Sequence, residues 1–291
     1  MKRILTSGAT GSVGYETLRF LQKINPPDVE LLAGVRNVDR ARESMSPIPC
    51  VPFDVTQPEQ ALESLSDIDS LFLMRPPQIS DIKNTFEPLL AQIEHTPVRH
   101  IVFLSLQGVE NNPIVPHYKI EQAILESGIP YTFLRPSFFM QNLSTTHREE
   151  IRDRDEIFVP AGSGNTNFID VRDIAEVAVL SLLDSQHQNK AYTLTGARGY
   201  TYFEIAELLS GILERPIRYA NPSALSFIFH KKRQNLPLKF ILVMTALYTI
   251  ARLGKADEKT DTLETLLQRP PRSLEAFLHE HRHLWIREEN D

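Results

Sequence analysis

The sequence predicts an α/β chain: a doubly wound parallel sheet followed by a smaller, mostly helical C-terminal substrate lobe. Three observations carry that expectation. Short, near-continuous apolar runs alternate with helical patterns through the first half, as strands covered on both faces do. The first of these runs passes straight into a glycine-rich turn and then an amphipathic helix. From Ser223 onward the pattern is helical alone, with breaks at Pro237, Gly254 and Pro270-Pro271.

Ile4-Leu5-Thr6 is the opening strand. It leads into Ser7-Gly8-Ala9-Thr10-Gly11-Ser12-Val13-Gly14, and Leu18, Leu21 and Ile24 form the apolar face of the helix that follows. Gly8 allows a sharp turn, Gly11 keeps a Cβ out of the way of phosphate, and Gly14 lets the helix lie close to the sheet. Strand, turn and helix in this order aim backbone N–H groups at a pyrophosphate, as in Rossmann-type dinucleotide sites. An ordinary glycine turn is the alternative. Glu30 to Val35 reads as a second strand ending at Arg36, and Pro49 to Phe53 as a third ending at Asp54. Pro58 to Leu65 is helical, and Ser70 to Met74 is a fully apolar strand stopped by Arg75-Pro76-Pro77. A helix from about Ile79 to Glu94 precedes the strand Ile101 to Ser105, and a helix from His117 to Ser127 precedes the strand Tyr131 to Leu134.

The rhythm loosens in the second half. Asp170 is placed to cap a helix reaching Leu183, Ala191 to Thr195 reads as a strand, and Thr201-x-x-Glu204 has the form of a capping box. Ile217 to Tyr219 is a last short strand. The predicted division is therefore 1–157 for the nucleotide-binding domain, with 170–219 returning to its sheet, and 220–291 for the helical cap.

Bulk properties narrow the function classes. The net charge of −6 contains no block of like charges, so nucleic acid is not an expected partner. The single cysteine, Cys50, permits no internal disulfide and suits a reducing compartment. The apolar run after Lys2 and Arg3 breaks at Gly8, unlike a secretory leader. The longest apolar stretch, Phe240 to Ala251, is too short to span a bilayer, and His230-Lys231-Lys232-Arg233 reads as a solvated turn. The expectation is a cytoplasmic protein with no membrane contact. His279, His281 and His283 lack a second cluster at ligand spacing, so no metal is expected. The broad apolar surface of Lys239 to Ala251 suits pocket lining, ordinary core or a homodimer contact.

An NAD site usually carries an acid about 20 residues beyond the glycines, for the ribose 2′-OH. Here the second strand ends in Gly34-Val35-Arg36-Asn37 instead. The Arg36 guanidinium suits a 2′-phosphate, and Arg40 and Arg42 add positive field, so NADP(H) is expected over NAD(H). A solvated surface arginine is the alternative. Asp54 is placed either to accept from the adenine amino group or to cap a helix.

The glycine loop, Asp54 and Met74-Arg75-Pro76 resemble an atypical short-chain dehydrogenase/reductase. His117-Tyr118-Lys119-Ile120-Glu121, Ser127 to Pro136, Phe138 to Asn142, Phe168 to Ala175 and Arg269 to Ser273 are similar to the NmrA-like group. That group contains NAD(P)H-dependent quinone, azo-dye and triphenylmethane-dye reductases as well as nucleotide-sensing regulators. The resemblance spans nearly the whole chain and is weakest between Ser223 and Leu253. It implies that Gly8 to Gly14 and Arg36 bind the adenosine half, with Leu73, Met74 and Arg75 beside the phosphates and ribose. It also implies that Pro136, Ser137 and Phe138 flank the nicotinamide, and that Phe138, Phe139 and Asn142 wall the substrate pocket.

The wider superfamily uses Tyr-x-x-x-Lys to move a proton. Tyr118 is followed at i+4 by Gln122, and no other tyrosine has lysine there. His117 and Glu121 form an i,i+4 pair whose carboxylate would favour a charged imidazolium donor; a surface pair of no consequence is the alternative. Ser105 matches the place of the superfamily's serine donor, or is a loop hydroxyl bonded to backbone. Without the tyrosine, hydride addition to a conjugated quinone-like, azo or dye acceptor is the fitting chemistry, because the product charge is delocalised. A non-catalytic NADP(H) sensor is the second reading, and a sugar-nucleotide epimerase a third.

Overall fold

A computed structural model of the protein describes residues 1–287. Contacts divide it into two compact units, Met1–Pro136 with Val171–Leu194, and Ser137–Asp170 with the chain from Thr195 onward.

The first unit holds seven strands: β1 (Lys2–Ser7), β2 (Val29–Val35), β3 (Cys50–Pro52), β4 (Ser70–Met74), β5 (His100–Leu104), β6 (Tyr131–Pro136) and β7 (Lys190–Leu194). Their order is β7-β6-β5-β4-β1-β2-β3, and every pairing is parallel. Helices α1 (Ser12–Ile24), α2 (Val38–Met45), α3 (Pro58–Glu63), α4 (Phe86–Leu90), α5 (Pro116–Glu126) and α6 (Val171–Leu183) cover both faces. Successive strand residues serve opposite layers. Leu32 belongs to the core layer that holds Leu65, Phe86 and Ile120, whereas Ala33 belongs to the one that holds Leu18, Ala41 and Met45. Burial on both sides explains why β4 is apolar from Leu71 to Met74; Leu71, Phe72 and Leu73 have no exposed surface, each contributing about 1.5–3 kcal/mol.

The second unit has a three-stranded sheet of Phe138–Phe139, Thr166–Ile169 and Gly199–Tyr200, and a parallel pair of Glu156–Ile157 with Arg218–Tyr219. Its core gathers Phe168, Tyr202, Leu209, Phe227, Phe277 and Trp285. The helix Tyr202–Leu213 starts at the expected capping box, with Thr201 and Glu204 bonding reciprocally. Of the residues expected in the nucleotide-binding part, 1–157 and 170–219, those at 137–157, 170 and 195–219 therefore belong here instead. The cause is strand pairing: after Pro136 the chain pairs with Gly199–Tyr200 and Arg218–Tyr219, and only β7 returns to the main sheet.

Two further expectations change. The helix expected from Ile79 to Glu94 shrinks to α4 and a 3-10 turn at Ile93–His95. Ahead of it, Arg75 Nη1 donates to the carbonyls of Pro76, Pro77 and Ile79, and Asn84 Nδ2 donates to Asp81 Oδ2, which fixes a non-helical loop. The basic run at His230 to Arg233 is the end of a helix, Ala224–Arg233, rather than a solvated turn. Its Lys231 is buried, with Nζ 2.5 Å from Glu150 Oε1.

Candidate functional site

In open parallel sheets ligands bind beyond the strand carboxyl ends, where the strand order reverses. That reversal lies between β1 and β4, and Gly8 follows β1 there. Gly8 adopts φ +59°, a left-handed conformation that glycine reaches without strain. Gly11 N donates to Gly8 O (2.8 Å) and Ala9 N to Gly34 O (3.3 Å), which ties the loop to itself and to β2. Gly11 caps α1 in an extended conformation with no side chain to bond the helix amides. Among the described residues nothing accepts from the N–H groups of Ser12 and Val13. These unpaired donors sit at the positive end of a thirteen-residue helix, a ready site for an anion. A Cβ at Gly14 would lie 2.4 Å from Gly8 O, so the close packing expected of Gly14 is present.

The strand ends carry the remaining candidates. Arg36, beyond β2, is exposed and makes no hydrogen bond or ion pair among the described residues. Asp54 Oδ1 accepts from Thr56 N (2.9 Å) and Thr56 Oγ1 (2.8 Å), closing a turn and leaving Oδ2 for another donor. Met74 lies against the loop: a Cβ on Gly8 would come within 2.1 Å of its Sδ. Leu73, expected beside the phosphates, has its side chain wholly in the core. Ser105 follows β5; its buried Oγ has no partner, a loss of about 1–3 kcal/mol unless a ligand or water bonds it. Together the unpaired amides and the orphan hydroxyl fit a dinucleotide lying across these strand ends.

His117 and Arg75 depart from expectation. Glu121 does not pair with His117; it holds Arg135 of β6 in a two-bonded fork, Oε1 to Nε at 3.1 Å and Oε2 to Nη2 at 2.7 Å. Glu110 Oε2 lies 3.1 Å from Nη1 of the same guanidinium. A planar guanidinium offers a carboxylate two aligned donors, and imidazole offers one. His117 instead accepts a long hydrogen bond from Arg75 Nε (3.4 Å) and packs at 6.1 Å from the Phe103 ring. Burial, reinforced by the Arg75 charge, lowers its pKa to about 3. The imidazole is thus neutral, not the imidazolium the sequence suggested, and the Arg75 contact assigns its proton to Nδ1. Burial lowers Arg75 to about 10, which keeps it charged at neutral pH. With Nη1 on three loop carbonyls and Nε on His117, Arg75 orders the 76–79 loop, and among the described residues its Nη2 has no hydrogen-bond partner.

Ser137, Phe138, Phe139 and Asn142 belong to the second unit. Ser137 Oγ donates to Asn167 Oδ1 (3.0 Å), so it ties down the start of that unit. Phe138 meets Phe168 edge-on at 6.3 Å and lies 6.5 Å from Tyr248; Phe139 and Asn142 are half-buried. Pro136 closes β6 in the first unit. Sequence reasoning missed the buried chain behind Tyr248: Tyr248 OH to His147 Nε2 (2.6 Å), His147 Nδ1 to Glu150 Oε2 (3.3 Å), and Glu150 to Lys231. No local spacing could reveal partners separated by 101 and 81 residues.

Burial keeps histidines neutral elsewhere too. His100 bonds Thr132 Oγ1 (2.9 Å), and burial, then Lys2 and His187, lower its pKa to about 4. An unfolded histidine takes up a proton near pH 6.5. This stability is therefore intact above about pH 6.5 and lost as pH falls toward the folded value. His100 alone is expected to cost about 2 kcal/mol at about pH 5, and urea unfolding of wild type against His100→Gln at the two pH values measures it.

The sheet order, the glycine loop and the strand ends define a Rossmann-type α/β protein of the dinucleotide-binding kind. The chain belongs to the NmrA-like family, whose profile matches residues 1–278. It is 30% identical over 285 residues to NAD(P)H azoreductase from Xenophilus azovorans, covering 96% of this chain and 97% of that protein. The NADPH-dependent quinone oxidoreductase of Escherichia coli, solved with NADPH, superposes with a TM-score of 0.85 at 22% identity, covering 96% of this chain and 99% of that one. Triphenylmethane reductase of Citrobacter sp., solved with NADP(H), gives 0.83 at 22% identity with the same coverage. At those identities the two structures share the fold.

Proposed function

We propose that the protein is an NADPH-dependent oxidoreductase that passes hydride to a quinone-like, azo or other conjugated acceptor. The observation that carries this reading is the pair of amides at the start of α1 that no protein group accepts from, beside a strand end that offers Arg36 and no acid. Ser12 and Val13 N–H groups hold the pyrophosphate, Arg36 holds the 2′-phosphate, and Asp54 Oδ2 takes the adenine amino group. A bound reduced nicotinamide supplies the hydride.

This chain's residues then bind, orient and donate. Ser105 Oγ and His117 Nδ1–H are neutral donors for the ribose or for a developing negative charge on the acceptor. Arg75 orients His117. Phe138, Phe139 and Asn142 are assigned to the acceptor. Such an acceptor spreads incoming charge over its conjugated system, so a neutral imidazole suffices where an isolated alkoxide would demand a stronger acid. Support for the acceptor class comes from the azoreductase relative, whose name states NAD(P)H and an azo substrate.

NADPH consumption against a panel of quinones and azo dyes tests the reading. Steady turnover with at least one acceptor is expected; tight binding with no turnover would assign the protein to redox sensing instead. Arg36→Ala is expected to weaken NADPH about 10-fold or more, worth ~1.4 kcal/mol, and NADH within about twofold. Equal weakening of both would remove Arg36 from the 2′-phosphate. His117→Ala is expected to lower kcat about 10-fold. With the imidazole neutral above about pH 4, the wild-type rate should show no histidine titration between about pH 5 and 8. A rate that falls with a pKa near 6.5 and is flattened in His117→Ala would contradict the assignment.

A further inference from the structure

We propose that the helical hairpin Ala224–Arg233 and Leu238–Arg252 docks the protein on an anionic lipid surface. The two helices pack against each other in the second unit, and their inner faces bury Phe227, Ile241, Met244, Tyr248 and Ala251. Their outer faces are apolar and bare: Leu225 is 69% exposed, Phe229 67%, Leu242 50% and Leu253 65%, with Leu238 and Ile250 also exposed. Leu238, Leu242, Ala246 and Ile250 recur every fourth residue, so they form one stripe along the second helix. A run of this length on a water-soluble surface marks a contact site.

Charge selects the occupant. Residues 223–256 contain six lysines and arginines and no Asp or Glu, in a chain whose net charge is −6. Lys231 is buried against Glu150, but Lys232, Arg233, Lys239, Arg252 and Lys255 are exposed. In a two-fold dimer the patch would meet itself, setting these five cations against five more. Anionic headgroups complement them, and the apolar side chains enter the acyl boundary. No helix among the described residues is long and apolar enough to cross a membrane, so the hairpin lies in the surface plane. This departs from the sequence expectation of a solvated basic turn without membrane contact.

Sedimentation of the full chain with phosphatidylcholine vesicles, with and without phosphatidylserine, tests the proposal. Binding is expected only with phosphatidylserine and should weaken with added salt. Lys232→Gln/Arg233→Gln/Lys239→Gln should lower the partition coefficient about 100-fold. Leu242→Ser/Ile250→Ser should lower it about 10-fold, and both variants should keep the wild-type circular dichroism. Equal binding to neutral vesicles, no binding to either, or wild-type binding by the charge variant would overturn the proposal. A concentration-dependent dimer abolished by Leu242→Ser/Ile250→Ser, with vesicles unbound, would assign the face to a second copy and equally overturn it. If the apolar variant loses its fold, the charge variant and the salt dependence decide.

Discussion

Gly11→Val is expected to weaken NADPH and NADH binding about 100-fold or more, ~3 kcal/mol, while thermal unfolding stays near that of wild type. Gly11 sits at φ −89° and ψ 164°, a conformation that valine adopts freely. A Cβ there would meet Gly8 O at 3.2 Å and otherwise nothing closer than 3.9 Å, so the backbone yields only slightly. The isopropyl group would then stand over the Ser12 and Val13 amides and bar a phosphate from them. Gly14→Val provides the contrast. Its Cβ would fall 2.4 Å from Gly8 O and 2.9 Å from Gly8 C, both backbone atoms, so α1 must leave the sheet. That variant should lose cofactor and fold together. Nicotinamide fluorescence titration beside thermal melting separates the two cases. Undiminished binding by folded Gly11→Val would mean that the loop does not contact phosphate.

Glu150→Gln is expected to destabilise the second unit by about 3–5 kcal/mol. Burial alone would raise this carboxyl; hydrogen bonds and charge from His147 and Lys231 hold it down at about 2. Its two oxygens serve His147 Nδ1, His230 Nε2 and Lys231 Nζ. Glutamine keeps the volume and removes the charge, which leaves a buried ammonium at Lys231 uncompensated. Glu150→Gln/Lys231→Met removes both charges and should recover most of the loss. Urea unfolding of wild type, Glu150→Gln, Lys231→Met and the double variant closes the cycle. A single variant as stable as wild type would show that water reaches Lys231.

Local signals in the sequence located much of this architecture. The apolar run Leu71 to Met74, stopped by Arg75, locates β4, because a strand buried on both faces needs nothing else. The Thr201 capping box announced its helix because both partners lie within one turn. The glycine loop was legible for the same reason: strand, turn and helix are contiguous. The failures came from distance. Spacing pairs Glu121 with His117 four residues away, whereas Arg135 on β6 offers a better-matched fork. Lys231 read as solvated because Glu150 lies 81 residues earlier. The boundary expected at 157 falls at Pro136 instead, because strand pairing, not composition, carries the chain into the second unit. The shortened helix before Ile93 follows from an arginine that gathers carbonyls, a competition invisible in a helical apolar pattern.

Isothermal calorimetry of the full chain with NADPH, and in parallel with NADH, tests the central claim most directly. One NADPH per chain, bound more tightly than NADH and lost in Gly11→Val, is the expected result. Absence of heat with millimolar NADPH, from protein shown to be folded by circular dichroism, would contradict a dinucleotide site at the α1 N-terminus.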